Sequence, residues 1–355
     1  MRKLLILTCC AMMIFGGCSS SKQSDVSNEP VVTVAPTATV APTATAAPTA
    51  TAAPEEISNN SEIDNKSESY KGRFVCDDNY IASITEEGKI NILFNNGKNR
   101  EVKAIEDAVK IVSGLDEIFV VDKEGNLIIY SVNDDKILED LPGASEIDTP
   151  DIENGGGMLA SDAEWKKSLS ECSDVEDLIA DDSLLGYYIA VRKDKSLVGA
   201  SKHYDDFQKK VDECATWENI TKYVCNGADI MGLREDGTVI CTNEEISSEL
   251  AAEWTDIIDI EASGSFLGLK ADGTVLSLVG ELEYKTLEWT DVKQISASLF
   301  CAAGLKEDGT VVVAGRDFGQ SEAEKWTDMI YVQAADTYVM GIRENGEIIT
   351  TTVQK

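Results

Sequence analysis

Histidine is nearly missing from this chain. His203 is the single one in 355 residues, which excludes metal centres built from several imidazoles. Its setting, Ser201-Lys202-His203-Tyr204-Asp205, is that of a solvated loop residue. Basic residues are scarce as well: 31 Lys and Arg stand against 64 Asp and Glu, a formal charge of −33. So acidic a surface repels phosphate backbones and anionic headgroups, which argues against nucleic-acid partners. No glycine-rich phosphate cradle, nucleophile elbow or paired metal-ligand spacing is found. No catalytic residue, metal or cofactor is assigned, and the chain reads as a binding protein rather than an enzyme. The abundance of carboxylates leaves a glycosidase-type pair formally open.

The one long apolar run, Leu4 to Phe15, follows Met1-Arg2-Lys3 and is too short to span a bilayer as a finished helix. It ends in Gly16-Gly17-Cys18 and is followed by Ser19-Ser20-Ser21-Lys22. This resembles the lipobox of bacterial lipoproteins, although Phe15 stands where Leu is usual. The resemblance implies cleavage after residue 17, lipidation of Cys18, and an extracytoplasmic protein held to the cell membrane by that lipid. Loss of Arg2 and Lys3 with the signal takes the formal charge from −33 to −35.

Residues 18–65 read as a disordered linker. Ala35-Pro36-Thr37-Ala38-Thr39-Val40 recurs from Ala41 and again from Ala47, and five of the seven prolines (Pro30, Pro36, Pro42, Pro48, Pro54) fall here. Proline at every sixth position cannot build a core and favours extended polyproline-like chain, giving a stalk on the order of 100 Å. Residues 66–355 remain for a folded domain.

That domain repeats. Trp217-Glu218-Asn219, Trp254-Thr255-Asp256, Trp289-Thr290-Asp291 and Trp326-Thr327-Asp328 are each followed by an aliphatic residue. About 20 residues further on come the turns Asp236-Gly237, Asp272-Gly273, Asp308-Gly309 and Asn345-Gly346. Weaker copies lie at Glu87-Gly88, Glu124-Gly125 and Asp194-Lys195. Four residues before each turn centre stands Ile84, Val121, Val191, Leu233, Leu269, Leu305 or Ile342. Two after it stands Ile90, Leu127, Leu197, Val239, Val275, Val311 or Ile348. Asp-Gly between apolar, β-branched runs signals a hairpin, because glycine accepts positive φ. Each unit is thus a hairpin plus a further strand, Trp-Thr-Asp-Ile-x-x-Ile, and such units bury both faces by stacking into a ring. The fold class is all-β: a single β-propeller, seven-bladed by this count. An eighth hairpin follows if the decayed stretch Pro142 to Ser170, with Gly155-Gly156-Gly157, still folds.

Gly268-Leu269-Lys270-Ala271-Asp272-Gly273-Thr274-Val275 and its copy from Gly304, each preceded by Trp-Thr-Asp, resemble the bacterial form of the regulator-of-chromosome-condensation repeat. Gly315-Arg316-Asp317-Phe318-Gly319-Gln320 adds that family's Gly-x-x-x-Gly-Gln. The resemblance is strong over 217–350 and faint over 70–200, and it implies seven blades. A secreted relative that inhibits β-lactamases presents aromatics from the loop before each hairpin. The matching positions here are Ala228, Gly264, Phe300 and Thr337, with one aromatic among them, which weakens that reading. Nucleotide exchange, the role of eukaryotic members, requires a cytosolic GTPase that an exported protein does not meet.

The fixed place of the tryptophans assigns them to contacts between blades rather than to sugar stacking. The framework positions being occupied by folding, binding falls to the variable loops, and the candidate residues are Asp229, Phe300, Asp336 and Thr337. Phe266 and Tyr338 are expected to point into blades. The partner is a protein or a glycan, bound by a monomer. Of Cys76, Cys172, Cys214, Cys225, Cys241 and Cys301, only Cys172 and Cys214 lie in polar segments, and they are the pair open to a disulfide.

Overall fold

The computed structural model describes residues 69–351, apart from 78, 115–116, 139–167, 170, 182–185, 202–206, 228, 244–245, 247–253, 263–264, 279–285 and 287. The signal, the linker, Cys18, His203, Ala228, Gly264 and nearly all of 142–170 lie outside these residues.

Seven antiparallel sheets follow one another along the chain, each built from consecutive strands. Blades 1 (74–102) and 2 (108–137) have four strands. Blades 3 (175–201), 4 (220–241), 5 (257–277), 6 (292–315) and 7 (329–350) have three. The first strand of every blade lines a central channel, so the sheets run outward from it as the blades of a propeller. Seven hairpins join second to third strands at the seven turns read from the sequence. Gly88, Gly125, Gly237, Gly273, Gly309 and Gly346 have φ between 77° and 91°, and Lys195 takes 68° in blade 3.

Seven clusters of buried residues lie between blades, one per interface. The aliphatic residue before each turn is buried in all seven copies, and the one after it in six. Burying both faces of each blade against its neighbours is what a two-faced apolar repeat requires.

The tripeptide Trp-Thr-Asp is a corner rather than the start of a strand. Asn219, Asp256, Asp291 and Asp328 adopt φ of 59° to 63°, and Asp107 and Asp174 do the same in blades 2 and 3. Asp and Asn tolerate this left-handed conformation best among residues with side chains. Strands then begin one residue later, at Ile220, Ile257, Val292 and Met329. The corner also stitches the ring. The N–H after it donates to the turn glycine of the preceding blade: Ala108 to Gly88, Val175 to Gly125, Ile257 to Gly237, Val292 to Gly273 and Met329 to Gly309, at 2.9–3.0 Å.

The ring closes by side chains. Tyr338 Oη donates to the carbonyl of Asp77 at 3.1 Å, and Tyr70, Phe74 and Tyr331 meet with ring centroids 5.9–6.3 Å apart. A helix, α1 (Phe207–Cys214), covers the outer strand of blade 3, with Gln208 Oε1 accepting from Gly199 N at 2.8 Å. Phe266 and Tyr338 are buried, as expected. All six described cysteines are buried thiols outside any disulfide, so Cys172 and Cys214 do not pair and sit in different clusters. Burial holds the Cys76 and Cys214 thiols up at about 12 and that of Cys241 at about 11.

Candidate functional site

Two places gather chemistry. The first is the central channel, a cavity of about 630 Å³. One position, the second after the residue that opens each inner strand, faces it repeatedly. It holds Lys110, Asp177, Lys222, Asp259, Gln294 and Tyr331 in blades 2 to 7. A backbone irregularity precedes this position in each of blades 2 to 7, which re-aims its side chain.

These side chains clasp neighbouring blades. Lys110 contacts Asp177 across blades 2 and 3. Lys222 reaches Asp259 at 2.8 Å and Glu261 at 2.7 Å across blades 4 and 5. The Gln294 carboxamide spans to blade 7: its Nε2 donates to Val332 O at 2.8 Å and its Oε1 accepts from Val332 N at 3.2 Å. Burial pulls the Lys222 ammonium down, but Glu261 and Asp259 outweigh it and hold its pKa above the ordinary lysine value. Burial, with Asp259 alongside, raises Glu261 against the pull of Lys222. Burial and the charge of Lys222 lower Lys110 to about 8, which leaves it charged at neutral pH and able to pair with Asp177. The channel therefore gathers carboxylates, and each is engaged by a lysine.

The second place is the loop face, where first and second strands turn. Phe300 of blade 6 is half-buried. Phe318 packs edge-on to it at 6.3 Å, and the Arg316 guanidinium lies over its ring at 5.0 Å. Phe318 is 38% exposed. The scaffold beneath is the Gly315-x-x-x-Gly319-Gln320 segment, with φ of 107° at Gly315 and 120° at Gly319. Gln320 is fully buried, donates Nε2 to Asp336 O at 3.0 Å and accepts from Phe318 N. Asp317 Oδ1 accepts from Gly319 N at 2.9 Å and Ser321 N at 3.2 Å, capping the 3₁₀ turn Gln320–Lys325.

Of the residues expected from the sequence, the structure brings Phe300 and Asp336 together, through Leu299 N donating to Asp336 Oδ1 at 2.9 Å. Thr337 follows in the same loop and is half-buried. Asp229 lies apart, on blade 4, where Lys210 Nζ and Asn243 Nδ2 each approach its carboxylate at 3.3 Å. That carboxylate ties α1 and the blade exit to the second strand. Arg316 and Phe318 join the site from within the Gly-x-x-x-Gly-Gln segment, outside the positions expected to bind. An Arg and an aromatic spaced between two fixed glycines is the signal that marks them. The channel residues were missed altogether, although laying the repeats on one another exposes one variable, mostly polar position two after the residue that opens each inner strand and just before a large apolar one. Among the described residues no group of three or more His, Cys, Asp or Glu side chains could hold a metal.

No family model matches the chain, and the comparison with curated proteins returns no match. Solved structures are similar at low identity. The CRINKLY WD40 ectodomain of the Arabidopsis thaliana receptor kinase ACR4 is 11% identical over 77% of this chain and 90% of that one, with a TM-score of 0.48. A chain in the structure of Kap60 bound to yeast RCC1 (Prp20) is 13% identical over 78% and 65%, at 0.35. PorZ, a bacterial surface component of the type-IX secretion system of Porphyromonas gingivalis, is 11% identical over 76% of this chain, at 0.36. The chain spans 29% of the length of that PorZ chain. The propeller assignment stands on the seven sheets themselves.

Proposed function

We propose that this protein is a tethered interaction module. A lipid on Cys18 holds it outside the cytoplasm, residues 18–65 act as a stalk, and the propeller presents its loop face to a protein or glycan. Its repeats are of the regulator-of-chromosome-condensation type, on the strength of the Trp-Thr-Asp and Asp-Gly spacing. It binds as a monomer, without nucleic acid, and does no catalysis.

One observation carries the choice of face: exposed Phe318 and Arg316 pack on half-buried Phe300 as an aromatic–cation cluster over the Gly315–Gln320 segment. Anchors of this kind supply about 2 kcal/mol or more each at protein interfaces. A photo-crosslinking residue at Phe318 is expected to trap the partner, whereas one at Ile258, 56% exposed beside the corner of blade 5, is not. Crosslinks confined to position 258 overturn the assignment. Cys18→Ser should release the protein from membranes, and a variant that still sediments with them removes the anchor from the proposal.

A second reading, catalysis in the channel, draws on the carboxylates Asp259 and Glu261, gathered there around Lys222. Glu261→Gln abolishing hydrolysis of a wall glycan by the purified protein establishes it. Absence of such activity in the parent protein leaves the binding reading in place.

A further inference from the structure

Blade 7 differs from its six sisters at one position. The aliphatic residue two after the turn is 1–8% exposed in blades 1 to 6, where Ile90, Leu127, Leu197, Val239, Val275 and Val311 join the cluster shared with the next blade. Its counterpart Ile348 is 47% exposed and belongs to no such cluster. The turn beside it is equally bare. A Cβ on Gly88, Gly125, Gly237, Gly273 or Gly309 would lie 2.9–3.2 Å from the corner backbone of the following blade, whereas one on Gly346 has nothing within 4 Å among the described residues.

The cause lies in blade 1. Its inner strand is entered through Tyr70-Lys71-Gly72 rather than through an apolar-x-Asp corner, and Tyr70 is packed inward on Tyr331 and Phe74. Among the described residues, the turn 345–346 therefore lacks the element that covers its equivalents. A cavity of about 420 Å³ opens there, lined by Asp328, Arg343, Glu344 and Asn345. The Nε of Arg343 is buried and has no acceptor among the described residues.

We infer that this open turn is a docking slot for an extended segment of a partner protein, one carrying an apolar-x-Asp/Asn-aliphatic corner. Five interfaces of the same ring specify the occupant. Its Asp or Asn takes the left-handed conformation, the following N–H donates to the Gly346 carbonyl, and its apolar residue covers Ile348. The site lies away from the Phe300 cluster and does not depend on the function proposed above.

The test uses the full chain carrying Ile348→Cys, with alkylation at residue 348 followed by mass spectrometry; the six described native thiols are buried. The probe is a blocked peptide copying residues 253–258, Glu-Trp-Thr-Asp-Ile-Ile. At a Kd of about 1 mM, about 3 mM peptide should slow alkylation about fourfold. A peptide with Asp256→Val, which cannot hold the left-handed corner, should not. A Leu93→Cys variant, 50% exposed on blade 1, should be unaffected by either. Fast alkylation that the peptide does not slow overturns the proposal. Slow alkylation without peptide, relieved by deleting residues 19–68, overturns it too, because the chain's own segment then fills the slot.

Discussion

At the scale of single residues, the tryptophans are explained by the glycines they cover. Trp217, Trp254, Trp289 and Trp326 each lie against a glycine of the second strand, Gly232, Gly268, Gly304 and Gly341 respectively. Blades 2 and 3 carry Ile105 opposite Val120 and Cys172 opposite Ala190 at the same positions. A large ring is thus matched by the absence of a side chain, and a smaller corner residue by the presence of one, so the two positions trade volume, closely in blade 2 and in part in blade 3. A Cβ on Gly268 would come within 2.6 Å of Trp254 Cζ3. Gly268→Ala is therefore expected to cost about 1–3 kcal/mol by over-packing. Adding Trp254→Leu should recover part of that loss, since it restores the kind of pairing seen in blade 2. Urea melts of the two single variants and the double variant check this, and strictly additive losses would show that the two positions are not coupled.

At the scale of the element, the Asp-Gly turn does two jobs, and the seven copies separate them. Gly273 and Gly346 have nearly the same backbone, φ of 81° and 85°, but only Gly273 is pressed against a following corner, with Asp291 Cα 3.0 Å from its would-be Cβ. Gly346→Ala should cost about 1 kcal/mol, the strain of a left-handed alanine. Gly273→Ala should cost that and about as much again, because backbone must shift. Equal thermal destabilisation of the two would mean that the corner contributes nothing to the turn. Three turns, those of Asp236, Asp272 and Asp308, also carry a threonine two residues on, whose hydroxyl donates to the carboxylate at 2.6 Å. That bond, with the Thr backbone N–H, lowers all three pKa values below the ordinary aspartate value. A carboxylate lowered on folding contributes stability that is complete above its unfolded pKa and is lost as pH falls through the folded one. The melting temperature should therefore drop on acidification from about pH 5 to about pH 3. It should drop less in a variant with Asn at positions 236, 272 and 308. An unchanged slope in that variant would place the acid sensitivity elsewhere.

At the scale of the whole molecule, the ring was legible because its framework is repetitive. The turn residues and the aliphatic pairs announced seven hairpins, and the corner Asp or Asn, had it been aligned, would have announced blades 2 and 3 through Asp107 and Asp174 as well. What stayed hidden is what differs between blades. The channel clasps pair Lys110 with Asp177 and Lys222 with Asp259 and Glu261 across interfaces, and only the closed ring decides which blade faces which. Asp229 looked free by its place in a variable loop, but Lys210, two elements away in sequence, reaches it. The last interface was likewise beyond a repeat alignment, because it is made of residues the repeat does not contain. It lacks the corner bond present at five others and depends instead on Tyr338, Met340 and Ile342 packing against Cys76 and Ile81. In a ring of repeats stability is set by local interfaces, and a joint without the corner bond opens more readily than one that has it. Tyr338→Phe removes the hydrogen bond to Asp77 O, worth about 1 kcal/mol, while leaving the ring in place. Native-state hydrogen exchange should then accelerate at Tyr80–Ile84 and Val339–Arg343 about fivefold, with Phe266–Lys270 of blade 5 unchanged. Equal acceleration in all three strands would mean that the propeller opens as one cooperative body and that its closure is no weaker than its other joints.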